Sequence, residues 1–576
     1  MTVRAIGHLA VVIINRNTMT TIPLKRQIAV LIVSMQLAVS AFAIPTANDF
    51  SVRTLQGETV RTVDLSRAVS GDGPLQLVST TVSDPAITIT PLQGTTFLVA
   101  MSPFFVGQFT VTYTIVETNA VSGPQATGTI TVTIVPAPDV DIVPSLASQT
   151  LPGNVIGKIL QKNICNQLQG LAEDGLTEQE KKLVATCFLL KQAAGKPALA
   201  AKLKQALKQI TPEEVAAQIR LNRDLARNHV KHIRMRMAGI RQGLRGLRFD
   251  NLSFNLGDHS LPGSLVQHAW DDVSGGGASA DSSADSRAGA QTGAFISGLV
   301  SVVERDQTSQ ENGFDLHNSG LTAGMDFRLS RSLVLGVAGG YTGSQVDLSQ
   351  QAGELDIAGF NLTHYGTYYH GHQSYVDYIL SYNQQDYSSV RHINFQPDPD
   401  AQEITYDASG DTNSRLLSVS ISGGLQVFGA HGWSLTGKSS VDYTDSTIDA
   451  YKEKGADAFD FTIDAQRFQA LLATAGFQLT KAVNFAGGVV IPQWDVDWVH
   501  QFENDAVQIK GQFINDRFGN TFAFASDKQD QDYFTMGLGA QMVFAGASTA
   551  FIQYEASLDR QHYSENQFAL GLRLSF

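Results

Sequence analysis

At 576 residues the chain is too long for one compact core, and two or more domains are expected. Only 16% of residues are charged while glycine reaches 51, and beyond the N-terminus no run approaches the roughly eighteen consecutive apolar residues of a spanning helix, which argues against a helical membrane protein. The formal charge of −13 withholds the basic surface that phosphate contacts need, so no nucleic-acid partner is expected for the whole chain.

Lys25 and Arg26 form a positive patch, an apolar run follows from Ile28 to Val39, and Ala41-Phe42-Ala43 comes next. This order is the layout of a secretory signal peptide, with Ala41 and Ala43 at the two positions a signal peptidase reads. The apolar run is too short to span as an ordinary helix. Residues 1–43 are therefore expected to be an address read by the inner-membrane general secretion machinery. The mature chain would begin at Ile44, and a start at Met19 rather than Met1 would give a signal of ordinary length.

Residues 44–138 read as short strands. Phe109, Val111, Tyr113 and Ile115 alternate with Thr110, Thr112 and Thr114, and Ile130, Val132 and Ile134 repeat the pattern. A period of two with threonine opposite β-branched residues marks half-buried antiparallel strands. Turn clusters such as Gly71-Asp72-Gly73-Pro74 suit a small sandwich, and Pro136-Ala137-Pro138 reads as a linker. The segment is similar to the Ig-like or cadherin-like modules of bacterial surface proteins.

Residues 145–250 change to a helical pattern. Thr177-Glu178-Gln179-Glu180 is a capping-box sequence. Thr211-Pro212-Glu213-Glu214 offers a threonine cap, proline at the first helical position and acids beside the positive helix end. The helix it announces spaces Ala226, Val230, Ile233, Met237, Ile240, Leu244 and Leu247 alternately by four and three, an apolar seam for a partner. Its other faces carry Arg220, Arg223, Arg227, Lys231, Arg234, Arg236, Arg241 and Arg245. A solvated face is the simpler expectation; a surface for lipopolysaccharide, nucleic acid or an acidic loop is the alternative. Cys165 and Cys187, an even count in an exported chain, point to one disulfide tying two helices, worth roughly 3 kcal/mol, against two merely buried thiols. Residues 251–292 form a linker, rich in Gly, Ser, Ala and Asp from Asp271 onward, that cannot bury enough apolar surface to order itself.

From residue 293 to residue 576 the sequence becomes a series of strands. Leu321, Ala323, Met325, Phe327 and Leu329 oppose Thr322, Gly324, Asp326 and Arg328, and Leu417, Val419, Ile421, Leu425 and Val427 oppose Ser418, Ser420, Ser422, Gly424 and Gln426. In lipid every backbone polar group must be paired internally, so such a sheet must close, with an apolar outside and a small, polar inside. Twelve strands are expected, at about 293–304, 315–330, 332–348, 355–370, 373–390, 413–428, 432–449, 466–480, 483–502, 531–544, 547–560 and 566–576. Tyr365, Tyr368, Tyr369, Tyr375, Tyr378 and Tyr382 are expected at headgroup level, and Asn394–Asn413 and Asn504–Gln531 as long polar loops. At the C-terminus Phe568, Leu570, Leu572, Leu574 and Phe576 alternate with Ala569, Gly571, Arg573 and Ser575, a final strand suited to edge recognition by the outer-membrane barrel assembly machinery.

Gly324-Met325-Asp326 before a short turn, Gly366-Thr367-Tyr368 followed by Tyr375-Val376-Asp377, His500-Gln501-Phe502 at a strand end and the ending Gly571 to Phe576 resemble the autotransporter β-domain family. The resemblance implies a mainly β protein with a 12-stranded outer-membrane antiparallel β-barrel, a segment threaded through its lumen and an N-terminal passenger outside, in contact with outer-membrane lipid and lipopolysaccharide. Either Ala284–Thr292 or the basic helix ending near Leu247 would fill the lumen. No cofactor is implied.

No HExxH helix, P-loop or GxSxG elbow is present, and no enzyme activity is expected. Asp258-His259-Ser260 is a loop tripeptide, not a triad. His364, His370 and His372 are expected at a strand edge rather than on a metal, and Asp139 and Asp141 are weak calcium candidates. Three readings follow: self-secretion with display of an adhesion or binding module for an unknown surface ligand, a porin-like channel with a periplasmic N-terminal domain, and an autotransported enzyme.

Overall fold

The computed structural model describes residues 44–118, 123–140, 142, 151–244, 253–256, 259–262, 291–371, 373–396, 403–485, 488–503, 505–544 and 548–575. The cleavage-site residues Ala41 and Ala43, residues 263–290 of the linker, and Phe576 lie outside these.

Alternation of side-chain size and polarity sets the C-terminal half. Strands β1 (Gln291–Arg305), β2 (Phe314–Arg328), β3 (Leu333–Leu348), β4 (Gly353–His370), β5 (Ser374–Phe395), β6 (Ile404–Ala430), β7 (Trp433–Ile448), β8 (Gln466–Lys481), β9 (Gly488–Gln501), β10 (Asp532–Phe544), β11 (Thr549–Leu558) and β12 (Tyr563–Ser575) each pair with the next, all antiparallel. The ring shuts where β12 lies against β1, with Gly293 opposite Ser575 and Arg305 opposite Tyr563. The fold is therefore a closed, twelve-stranded antiparallel barrel without a free edge. Ser418, Ser420 and Ser422 face inward, while Leu417, Val419 and Ile421 face outward and exposed. An apolar belt circles the wall, shown on β12 by Phe568, Leu570, Leu572 and Leu574 and on β5 by Val376, Tyr378, Leu380 and Tyr382. Beyond the belt, toward one end, outward positions turn polar, as at Gln384, Asp386 and Ser388.

The tyrosine cluster divides. Tyr368, Tyr378 and Tyr382 are on the belt, but Tyr365 and Tyr369 face the lumen and are buried. Parity explains this, because residues an odd number apart on one strand take opposite faces. Both expected polar loops are corrected too. The β5–β6 ladder continues through Phe395 opposite Ile404, so little of Asn394–Asn413 is loop. Within Asn504–Gln531, strands Gln508–Phe513 and Thr521–Ala525 form a hairpin that joins Phe461–Ile463 and Tyr451–Lys452 in a four-stranded sheet. Short alternations such as Ile509, Phe513, Phe522 and Phe524 gave that hairpin its apolar face. These outer hairpins stand at the end where connections are long; the short turns, such as Leu329 to Ser332 and His431 to Gly432, and both ends of the barrel strand series stand at the other.

Helices α1 (Leu151–Lys158) and α2 (Asn166–Gln169), joined by a π-helical stretch Ile159–Cys165, precede α3 (Glu178–Ala194), α4 (Ala200–Ile210) and α5 (Glu214–Leu244). The capping box forms at α3: Glu180 N–H donates to Thr177 Oγ1 and Thr177 N–H to Glu180 Oε2. The expected threonine cap at Thr211 does not form. Its hydroxyl donates instead to the Leu207 carbonyl at 2.8 Å, finishing α4, and α5 begins at Glu214. A disulfide joins Cys165 to Cys187 with 5.7 Å between Cα atoms. Its sequence separation of 22 makes the loss in Cys187→Ser about 3 kcal/mol, measured as a lower temperature at which residues 151–210 become protease-sensitive. An unchanged temperature would show that the helices hold without it.

The described residues of 44–135 form two packed sheets and a small two-stranded one, Thr46–Ala47 with Val69–Ser70. One orders Phe50–Leu55, Ala126–Val135, Gly107–Glu117 and Leu75–Val82, the other Val60–Asp64, Thr96–Ala100 and Thr88–Pro91. Phe109, Val111, Tyr113 and Ile115 fill the space between them with Phe97 and Val99. Phe50–Leu55 runs parallel to Ile130–Val135, unlike the all-antiparallel expectation. This sandwich rests on α3, where Phe104 meets Phe188 edge-on and Gln192 donates to the Val135 carbonyl.

Candidate functional site

The 31 residues of α5 run through the barrel. At about 1.5 Å per residue the helix is longer than a bilayer core, yet no helix among the described residues is apolar enough to cross a membrane unaided. At the long-connection end Ala217, Leu221 and Leu225 pack on Phe314, Leu316 and Tyr387. At the short-turn end Val230, Ile233, Met237 and Ile240 pack on Phe295, Val334, Tyr365 and Tyr369. From Val230 to Ile240 the seam read from the sequence thus has the inner wall as its partner, Leu244 and Leu247 lying outside the described side chains, and the N-terminus of α5 lies at the long-connection end.

The basic residues whose side chains are described are not a solvated face; Arg241 and Arg245 lie outside them. Arg220 pairs with Glu311 at 3.2 Å, Arg227 with Glu565 at 2.5 Å, Arg234 with Asp442 at 2.5 Å, Lys231 with Glu555 and Arg236 with Asp326. Arg573 of the wall also reaches Asp326, at 3.1 Å. Asn228 donates to Glu565 at 2.9 Å, and Tyr563 donates to Asp224 at 2.5 Å. A cation taken from water needs a partner, and here the partner is a carboxylate on an inward strand position or, for Arg220, Glu311 on the β1–β2 connection. Of the two segments proposed for the lumen, the basic helix occupies it. A cavity of about 160 Å³ remains beside α5, between Lys231 and Arg234 on the helix and Lys438, Asp495 and Asp497 on the wall.

At the outer end, beyond the belt, Arg391 is fully buried and lies under the start of α5. Its guanidinium donates to Glu453 at 2.6 Å and to the carbonyls of Phe459, Gln209 and Ile210. Burial holds the Glu214 carboxyl, 3.8 Å from Arg391, well above the usual carboxylate range against the pull of that charge.

Phe568, Leu570, Leu572 and Leu574 lie on the outward face of β12, whose two edges are taken by β11 and β1. Cys165 and Cys187 lie in the helical cap, remote from the lumen. The lumen carboxylates were missed as a set. Their signal was present, since Asp326, Asp442, Glu555 and Glu565 fall on the inward parity of their strands, opposite the apolar outward residues.

Residues 294–555 match the family model described as the autotransporter beta-domain. Among solved structures, the chain is similar to the translocator domain of autotransporter NalP from Neisseria meningitidis, at 16% identity and a TM-score of 0.38, over 49% of this chain and 88% of that one. It is also similar to the beta domain of the Bordetella autotransporter BrkA, at 17% identity and a TM-score of 0.37 over 50% of this chain and 100% of that one. The transport unit of autotransporter AIDA-I from Escherichia coli aligns at 15% identity and 0.35, over 55% of this chain and 98% of that one. No curated protein matches the chain.

Proposed function

We propose, from the premise that the C-terminal half of this chain is an autotransporter β-domain set in the outer membrane, that the barrel carries its own N-terminal region to the cell surface and holds it there. The direction of α5 carries this reading. Outer-membrane barrels turn their short connections to the periplasm and their long ones outward. The described residues N-terminal to Glu214 lie at the long-connection end, while β1 starts from the short-turn end. A chain with that path has residues 44–210 outside and α5 as the last part to have crossed.

The sandwich is then the displayed part, and we read it as an Ig-like module for binding or adhesion at the surface. No step in this scheme calls for a cofactor or for chemistry by the chain. Closure of the sheet in lipid supports insertion, and folding of the emerged residues opposes their return. The barrel assembly machinery, the general secretion machinery and lipopolysaccharide are the partners such a route implies.

External protease on intact cells tests the reading. A tag placed just after Ile44 should be removed without permeabilising the outer membrane, while the β1–β12 barrel survives. If the tag is cut only after permeabilisation, residues 44–210 are periplasmic and the porin-like reading replaces this one.

A further inference from the structure

Around the outer rim of the barrel the charges divide by side. Beyond the apolar belt, toward the long-connection end, β1 to β5 turn outward Glu304, Asp315, Asp347, Glu354, Asp356 and Asp386. At that end the outward faces of the twelve strands carry only two arginines or lysines among the described residues, Arg415 on β6 and Arg467 on β8. They share a row: Arg415 lies opposite Thr447 of β7, and Thr447 opposite Arg467. With strands about 4.8 Å apart, the two Cα atoms are about 10 Å from each other. On the short-turn side of this row, on the same outward faces, stand the exposed Leu417, Val419, Ile421 and Tyr443 of the belt.

Both guanidinium groups are held in place and still open. Asp449 accepts twice from Nη2 of Arg415, at 3.0 and 3.2 Å. Asp445 accepts from Nε and Nη2 of Arg467, at 3.1 and 2.7 Å. The two arginine side chains remain 60% and 66% exposed, and each keeps about three N–H donors for another anion. Farther out, the hairpin sheet adds Lys452, Lys454 and Lys510, all exposed. Their neighbours Tyr451 and Ile509 turn the other way, into the buried apolar cluster. An anionic group is thus repelled along β1 to β5 and meets cations at β6 to β8.

What adjoins this row sets its occupant. Acyl chains lie against the belt, so the next layer out is the head of the outer-leaflet lipid. A simple phospholipid head offers a single phosphate. The head of lipopolysaccharide carries several on linked sugars, and two guanidinium forks separated by two strands, with lysines beyond them, match such a spread of phosphates. We propose that β6 to β8 seat one lipopolysaccharide molecule, its acyl chains on Leu417, Val419 and Tyr443 and its phosphates on Arg415 and Arg467. The proposal rests on the reading that the long connections face outward. It makes this lipid a fixed partner of one side of the barrel rather than a uniform surround.

Native mass spectrometry of the full chain, purified in mild detergent and titrated with lipopolysaccharide, provides the test. A single lipid should bind tightly to each barrel. Arg415→Gln combined with Arg467→Gln should weaken that binding about tenfold or more, the scale of lost charge-assisted hydrogen bonds. Asp356→Asn combined with Asp386→Asn, on the acidic side, should leave it unchanged. Lipopolysaccharide stripped of its phosphates, and phosphatidylglycerol, should each bind the unaltered chain about tenfold more weakly. Heat-modifiable migration shows whether each variant barrel is folded. If the double arginine variant is not, Arg467→Gln alone decides, with about threefold weaker binding expected. Undiminished binding by a folded arginine variant overturns the proposal, as does an equal loss in the aspartate variant. Equal binding of the dephosphorylated lipid or of phosphatidylglycerol overturns it too. A tag after Ile44 that stays protected on intact cells overturns the display reading instead, a separate outcome.

Discussion

Glu565→Leu should cost about 3–5 kcal/mol of stability, the usual penalty for removing one member of a buried ion pair. Glu565 is met by Arg227 at 2.5 Å, by Arg560 at 3.6 Å and by the Asn228 amide at 2.9 Å. A leucine keeps the volume and leaves the Arg227 and Arg560 guanidinium groups with more distant partners, Asp224 at 3.5 Å and Asp530 at 3.6 Å. The thermal unfolding midpoint of the detergent-refolded protein should fall sharply, and single-channel conductance should rise as α5 loses its hold on the wall. Adding Arg227→Leu should return part of the loss, because the second change removes one of the stranded charges. A double variant as weak as the sum of the two singles would mean that the helix is held by its apolar seam and that the ion pairs contribute little.

The second large effect separates lipid from water along one strand. Leu570 lies in the apolar belt and Ser564 on the same outward face beyond it. Leu570→Arg should destabilise the folded barrel in bilayers by about 2–4 kcal/mol, the range for a cation on the lipid face near the midplane. Ser564→Arg, outside the hydrocarbon, should stay within about 0.5 kcal/mol. The measurement is reversible unfolding in lipid vesicles. Equal effects at the two sites would remove the belt from the bilayer and with it the orientation argued above.

Much of the barrel was legible because its signal repeats. Twelve alternating segments, each opposing large apolar residues to Ser, Thr or Gly, can be counted without knowing which residue touches which. The same alternation assigned the outward face of β6 and β12 correctly. What it could not convey was tertiary. The spacing of Val230, Ile233, Met237 and Ile240 announces a partner and does not say that the partner is a barrel wall. Arg227 and Lys231 look like surface residues until Glu565 and Glu555, more than three hundred positions later, are brought opposite them. Tyr365 and Tyr369 were grouped with Tyr368 by nearness in sequence, although one step along a strand reverses the face. Thr211 had the composition of a cap, yet its hydroxyl found the preceding turn first. The hairpin over residues 508–525 was too short and too polar at its tips to stand out from a loop.

The division between head and stopper has a consequence for the envelope. The sandwich touches the remainder chiefly through α3, whereas α5 is pinned along the inner wall and the cap is built into the outer hairpins. A host enzyme cutting near Pro138 would carry off the head and leave the orifice sealed. On the proposed surface-display reading, the head could be released in this way while α5 still fills the lumen.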